Sequence, residues 1–214
     1  MITGKIEFMG VELAHGPGAL VPRAETELLG LAVIERLAGV AAPRIIDMCC
    51  GAGNLACALA FEIDDARVWA CDLTDGAVAL ARHNAAESKL HPRVSVHQGD
   101  LFAALASEAL DESIDAVVCN PPYISSARVD ERDDLRAEPR EAFDGGPYGL
   151  SIHQRVIREA ARFLRPRALL AFEFGVGQAR QVELLFSRAR AYDCFSLVHD
   201  HAGEPRVAIA RKMA

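Results

Sequence analysis

Lysine is scarce in this chain: 214 residues hold three, against a formal net charge of −7 and a pI of about 5.5. Nucleic-acid binding draws most of its affinity from cations on phosphates, so an acidic chain without a Lys/Arg-rich block is a poor fit to that class. No apolar run reaches membrane-spanning length, because charges interrupt each one. The first residues, Met1 to Glu7, form no apolar leader. Six cysteines occur without Cys-x2-Cys pairing, which argues against a zinc site, and unpaired thiols suit a reducing, cytoplasmic setting. His199-x-His201 has no third ligand nearby and reads as a surface turn. No repeat or linker interrupts the chain. With 51% apolar residues and a mean hydropathy of +0.11, one core is expected: a single domain over 1–214, with 1–22 as hairpin and lead-in and 23–214 as its body.

Strand and helix patterns alternate along that body. Glu25 to Leu37 is apolar at helical spacing (Leu28, Leu29, Leu31, Ala32, Ile34, Leu37) and predicts a helix covering a sheet. Strands are expected at 44–49, 67–72, 93–98, 114–119, 168–174, 194–199 and 206–211, with helices at 53–62, 75–87, 151–164 and 178–190. The short connector from Asp200 to Pro205 predicts an antiparallel closing pair. The fold class is therefore α/β, a doubly wound, mostly parallel seven-stranded sheet with an antiparallel last strand. Lys5 to Leu13 alternates around Gly10 and predicts a small amino-terminal hairpin.

Four strand ends carry the chemistry. The first runs through Asp47-Met48-Cys49-Cys50-Gly51-Ala52-Gly53 into an Ala/Leu-rich helix. Small residues there let backbone approach a ligand, and the helix start offers free N–H groups. No Gly-Lys-Ser/Thr follows, which excludes a phosphate loop. Asp72 ends the second strand, where a ribose-binding carboxylate is expected in such sheets. Asp100 and Leu101 follow the third. Each acid also precedes a helical segment, so helix capping is the plainer alternative for both. Cys49, Cys50, Cys71 and Cys119 all fall at strand ends and are expected to cluster as small apolar filler. The fourth strand ends in Asn120-Pro121-Pro122-Tyr123. The Asn120 amide oxygen and the Pro121 carbonyl suit the two N–H groups of a planar nitrogen, and Tyr123 suits stacking on it.

On these segments, together with Leu20 to Leu29 and Glu138 to Leu150, the chain resembles class I S-adenosylmethionine-dependent methyltransferases of the Asn-Pro-Pro-Tyr type. It is most similar to the release-factor glutamine N5-methyltransferases, from about Lys5 onward. The resemblance implies S-adenosylmethionine as cofactor. It implies Asn120, Pro121, Pro122 and Tyr123 as the catalytic set. It places Asp47, Cys49, Cys50, Gly51, Gly53, Asp72, Asp100, Leu101 and Asn120 around the cofactor. Arg23, Glu25 and Thr26 are either cofactor contacts or, for Glu25 and Thr26, caps of the first helix. Two departures stand out. Cys49 replaces the family's glycine two residues after the first acid, and the amino-terminal helical domain of the bacterial members is missing.

A sulfonium methyl is already electrophilic, so transfer needs alignment above all. A glutamine amide nitrogen is a poor nucleophile, and acceptors set on its two N–H groups favour the charge developing there. No His or Glu is expected to act as an essential base. The acceptor implied first is a release-factor glutamine. A small-molecule methyltransferase is the main alternative, since the missing domain removes a protein grip. Exocyclic amines of nucleic acids are planar too, but the charge disfavours them. A binding module would not need Asn-Pro-Pro-Tyr intact. The charged stretch 128–141 is expected to form a lid, with Gly145-Gly146 as hinge.

Overall fold

The computed structural model describes residues 2–131 and 139–214. Arg132, Asp133, Asp134, Arg136 and Glu138 of the expected lid therefore lie outside the described residues. The chain opens with β1 (Gly4–Phe8) and β2 (Val11–His15), an antiparallel hairpin as expected. Then follow α1 (Ala24–Leu37), β3 (Arg44–Met48), α2 (Asn54–Glu62), β4 (Arg67–Asp72), α3 (Asp75–Glu87), β5 (Val94–Gln98) and β6 (Ile114–Cys119). After β6 come α4 (Ser126–Asp130), α5 (Ser151–Phe163), β7 (Leu164–Glu173), α6 (Ala179–Ala189), β8 (Tyr192–His199) and β9 (Pro205–Lys212).

The large sheet runs β5-β4-β3-β6-β7-β9-β8, and β9 lies antiparallel to both its neighbours. The closing strand is thus the reversed one, inserted between β7 and β8. Alternation within each strand divides the core. On β3, Ile45 faces one layer and Ile46 the other; on β6, Ala116 and Val118 oppose Val117 and Cys119. One layer holds α1 (through Leu29, Val33 and Leu37) and α2; the other holds α5 and α6 (through Val156, Ile157, Val182 and Phe186). Strands buried on both faces read as continuous apolar runs, which is why β6 is wholly buried from Ile114 to Cys119.

The order switches beside β3: the chain winds outward through β4 and β5, then returns to place β6 on β3's other edge. Carboxyl ends diverge at such a switch and leave a crevice. The hairpin is fastened near it by Asn84 of α3. Asn84 Oδ1 accepts from Ala14 N at 2.8 Å, and its Nδ2 donates to the Ala14 and Ala52 carbonyls at 3.0 and 2.8 Å. One amide thereby holds the hairpin, the glycine turn and α3 together. The helical segment expected after Asp100 is the 3-10 turn Leu101–Leu105, whereas the sequence pattern did not predict α4 or the 3-10 turn at Arg140–Ala142. Three to five residues are too few to establish a helical period.

Candidate active site

A cavity opens at the carboxyl ends of β3, β4, β5 and β6. Met48 to Gly51, Asp72 to Thr74, Gly99 to Leu101, and Asn120 with Pro122 form its walls. Gly18 to Arg23, ahead of α1, and residues 139, 141, 142 and 144 complete the rim. Of the described residues in the charged stretch, Pro139 and Glu141 border the cavity. Gly145 packs beneath it: a Cβ there would meet the Pro122 carbonyl oxygen at 2.6 Å.

Each wall residue has a local cause. Gly51 has φ 54, and the direction its Cβ would take is open space. Asp72 Oδ2 accepts from Gly51 N at 2.9 Å and Oδ1 from Thr74 N at 3.2 Å, so this carboxylate braces the glycine turn. It does not cap α3. Thr74 does, accepting from Ala77 N. Asp100 makes no capping bond either; its Oδ1 pairs with Arg155 at 2.8 Å on the surface, leaving Oδ2 toward other donors. Leu101, φ 49, is buried and offers apolar surface to the cavity.

Asp47 is fully buried at the cavity floor. Its Oδ2 accepts from Ala56 N of α2 at 2.9 Å. Its Oδ1 has no partner among the described residues. Burial, with the nearby Asp72 charge, pushes its carboxyl up to about 8 despite the Ala56 bond. A folded-state value above the unfolded one means the native state holds the proton longer. Stability should therefore fall as pH rises from about 4 to about 8. Asp47→Asn should flatten that decline and be the more stable chain at pH ~9, as urea unfolding at several pH values would read.

Cys49 adopts φ 59, a left-handed conformation that a β-carbon disfavours, on the cavity wall. Burial holds the Cys119 thiol well above its ordinary range, with the Cys49 thiol adding to it. Cys49, Cys71 and Cys119 pack in one apolar layer and Cys50 in the other, joined to Cys71 by a backbone bond from Cys50 N at 3.0 Å, so the expected cluster forms only in part. Replacing Cys49 by Gly removes a strain of roughly 1–2 kcal/mol, partly offset by the unfolded chain's added freedom. Cys49→Gly should raise Tm slightly and keep or improve cofactor affinity, measured by calorimetry.

Three expected contacts are corrected. Glu25 is exposed and off the cavity wall; neighbours on a helix fan about 100° apart, so only Thr26 turns inward. Neither residue caps α1, whose cap position is Arg23, itself on the cavity wall. Gly53 is also off the wall. It has φ 79 at the start of α2, and a Cβ there would press on Ala81 at 3.1 Å, so it serves helix packing. The Pro121 ring is buried, so only its backbone carbonyl is left for the expected role. Tyr123 does not offer its ring to the cavity wall. Its hydroxyl donates to Glu173 Oε1 at 3.1 Å and accepts from Arg206 at 3.3 Å, and Gln178 Nε2 holds its carbonyl at 3.1 Å. Burial pushes the Tyr123 phenol up to about 12, so it keeps its proton.

Asn120 has one described partner: its Nδ2 donates to Thr26 Oγ1 at 3.0 Å. Thr26 donates onward to Glu173 Oε2 at 2.8 Å. Glu173 ends β7, 2% exposed, and also meets Arg206 at 3.3 Å. Burial raises its carboxyl, while Thr26, Arg206 and Tyr123 draw it back down. His153 Nε2 lies 2.9 Å from the Glu173 carbonyl, and burial lowers that imidazole to about 4, so it stays neutral and donates. Sequence reasoning missed Glu173, Arg206 and His153. The available signal was one acid inside the apolar run Leu169 to Phe174, a residue type rarely buried without partners.

Residues 26–135 match the family described as the methyltransferase small domain. The release factor glutamine methyltransferase of Moorella thermoacetica is 39% identical over 210 residues, covering 98% of this chain and 73% of the relative. That of Streptomyces coelicolor is 37% identical over 218 residues, covering 99% and 74%. The crystal structure of a release factor-specific protein-(glutamine-N5) methyltransferase from Alicyclobacillus acidocaldarius superposes with a TM-score of 0.55 at 26% identity, covering 94% of this chain and 99% of that one. A 16S rRNA N2 G1207 methyltransferase of T. thermophilus, in complex with AdoMet and guanosine, shares the fold (TM-score 0.72, 21% identity, 98% and 50% covered).

Proposed function

The chain belongs to the release factor glutamine methyltransferases, and from that membership we propose that its acceptor is the side-chain amide of a release-factor glutamine, held at Asn120. Residues 1–214 act as one methyltransferase domain in this reading. The six free cysteines among the described residues suit a reducing, cytoplasmic setting. No described helix is long and apolar enough to cross a membrane.

S-adenosylmethionine is the methyl donor of this family, and the residues present fit it. Gly51 leaves backbone open to the cavity, and Asp72 keeps lone-pair capacity beyond its three accepted bonds for ribose hydroxyls. Leu101 supplies apolar surface for a ring and Asp100 Oδ2 an acceptor for an amino group. Bound there, the cofactor supplies an electrophilic methyl. The chain's own task is then geometric. Asn120 Oδ1 and the Pro121 carbonyl accept the two amide N–H bonds and fix the nitrogen's face. As acceptor dipoles set in advance, they favour positive charge developing at that nitrogen. Pro122 shapes the wall, and Tyr123 braces the turn through Glu173, Arg206 and Gln178. No step requires a strong base, because the nitrogen turns acidic as the new bond forms.

The single observation that carries this reading is Asn120 on the cavity wall, with its N–H2 end pinned to Thr26 and its oxygen without a partner among the described residues. The test is a methyl-transfer assay offering purified release factor, total tRNA and rRNA, and a small-metabolite extract in parallel. Transfer to release factor supports the proposal. Transfer confined to the metabolite or RNA arm would move the acceptor to that class.

A further inference from the structure

We propose that Glu173 is a positioning residue, which sets through Thr26 the rotamer of the Asn120 amide and so decides which end of it faces the acceptor. The inference rests on the acceptor reading above for its consequence, but the geometry stands on its own. A carboxylate only accepts hydrogen bonds, so the Thr26 hydroxyl must spend its one proton on Glu173 Oε2. That hydroxyl can then only accept from Asn120, which turns Nδ2 toward Thr26 and Oδ1 away. The direction of the whole relay is set at Glu173.

Glu173 cannot swing to release it. Oε1 is held by Tyr123 and Arg206, and Arg206 also donates to the Phe174 carbonyl at 3.2 Å. This arrangement makes Glu173→Gln informative. Arg206 can only donate, so the variant's amide oxygen stays with Arg206 and its N–H2 takes the place of Oε2. The N–H2 then donates to Thr26, the Thr26 proton turns to Asn120, and the Asn120 amide flips. An N–H2 now meets the acceptor's N–H2, donor against donor.

The chain has three asparagines, Asn54, Asn84 and Asn120, so asparagine-selective 15N labelling gives three side-chain amide pairs. Asn120→Ala identifies the one in question. In Glu173→Gln and in Thr26→Val, the Asn120 pair should shift and lose its protection from solvent exchange, while the Asn84 pair stays as in the native chain. On release factor, kcat for Glu173→Gln should fall at least about 30-fold with cofactor Kd within about threefold. Unchanged Asn120 amide signals in both variants would overturn the proposal and leave Glu173 a structural ion-pair partner. So would a folded Glu173→Gln with kcat within about threefold of native. If that variant does not fold, the Thr26→Val amide signals decide. A native chain inactive on release factor would sink the acceptor reading alone, since the amide spectra need no substrate.

Discussion

Asn120→Ala should reduce methyl transfer by about 10²–10³-fold, the scale seen when one preorganised dipole is removed from a developing charge. Cofactor affinity should stay within about tenfold, or roughly 1.4 kcal/mol. The two effects separate because of where Asn120 lies. In the proposed reading its oxygen serves the acceptor, whereas Asp72, ending β4, and Asp100, following β5, serve the cofactor from the cavity wall. The fold should survive, because truncation removes one bond to Thr26 while Thr26 keeps its own to Glu173. Initial rates at saturating cofactor, with calorimetric Kd, read both quantities. A loss of affinity matching the loss of rate would place Asn120 in cofactor binding instead.

Asp72→Ala should produce the opposite pattern, with cofactor Kd raised about 100-fold or more (roughly 2.7 kcal/mol) and kcat at saturation within about tenfold. The magnitude reflects two losses at once. The Gly51 and Thr74 N–H groups lose their shared acceptor, so the glycine turn and the entry to α3 loosen together. The ribose hydroxyls lose a charged partner, and bonds to charged groups are the stronger kind. Asp72→Asn retains one oxygen for Gly51 and should fall between the two. Calorimetry with the cofactor checks the order, native tightest and Ala weakest. Equal affinities across the three chains would remove Asp72 from the cofactor's site.

The parts of this site that could be read in the sequence are those whose logic is local. Asp47 to Gly51, Asp72, Leu101 and Asn120 each stand at the end of an apolar run, and the parallel winding brings such ends together. The parallel winding follows from alternating patterns, and the antiparallel pairing of β9 with β8 from their short connector. The misses are tertiary. Thr26 and Glu173 lie 147 positions apart, and only the packing of α1 against β7 joins them. Glu25 and Thr26 are adjacent in sequence yet point about 100° apart, one to solvent and one to the cavity, and motif matching treats them alike. Gly53 shares a turn with Gly51, but one opens on the cavity while the other presses on Ala81. Composition cannot make that distinction; a neighbouring helix does.

The most direct measurement is transfer of labelled methyl from S-adenosylmethionine to purified release factor, with the modified residue located by peptide mass spectrometry. A second release factor, carrying glutamate in place of that glutamine, runs alongside. Label on one glutamine side chain of the first protein and none on the second is the predicted result, because Asn120 and Pro121 need a planar N–H2 to hold. Label that persists on the glutamate variant, or that lies on another residue type, would contradict it.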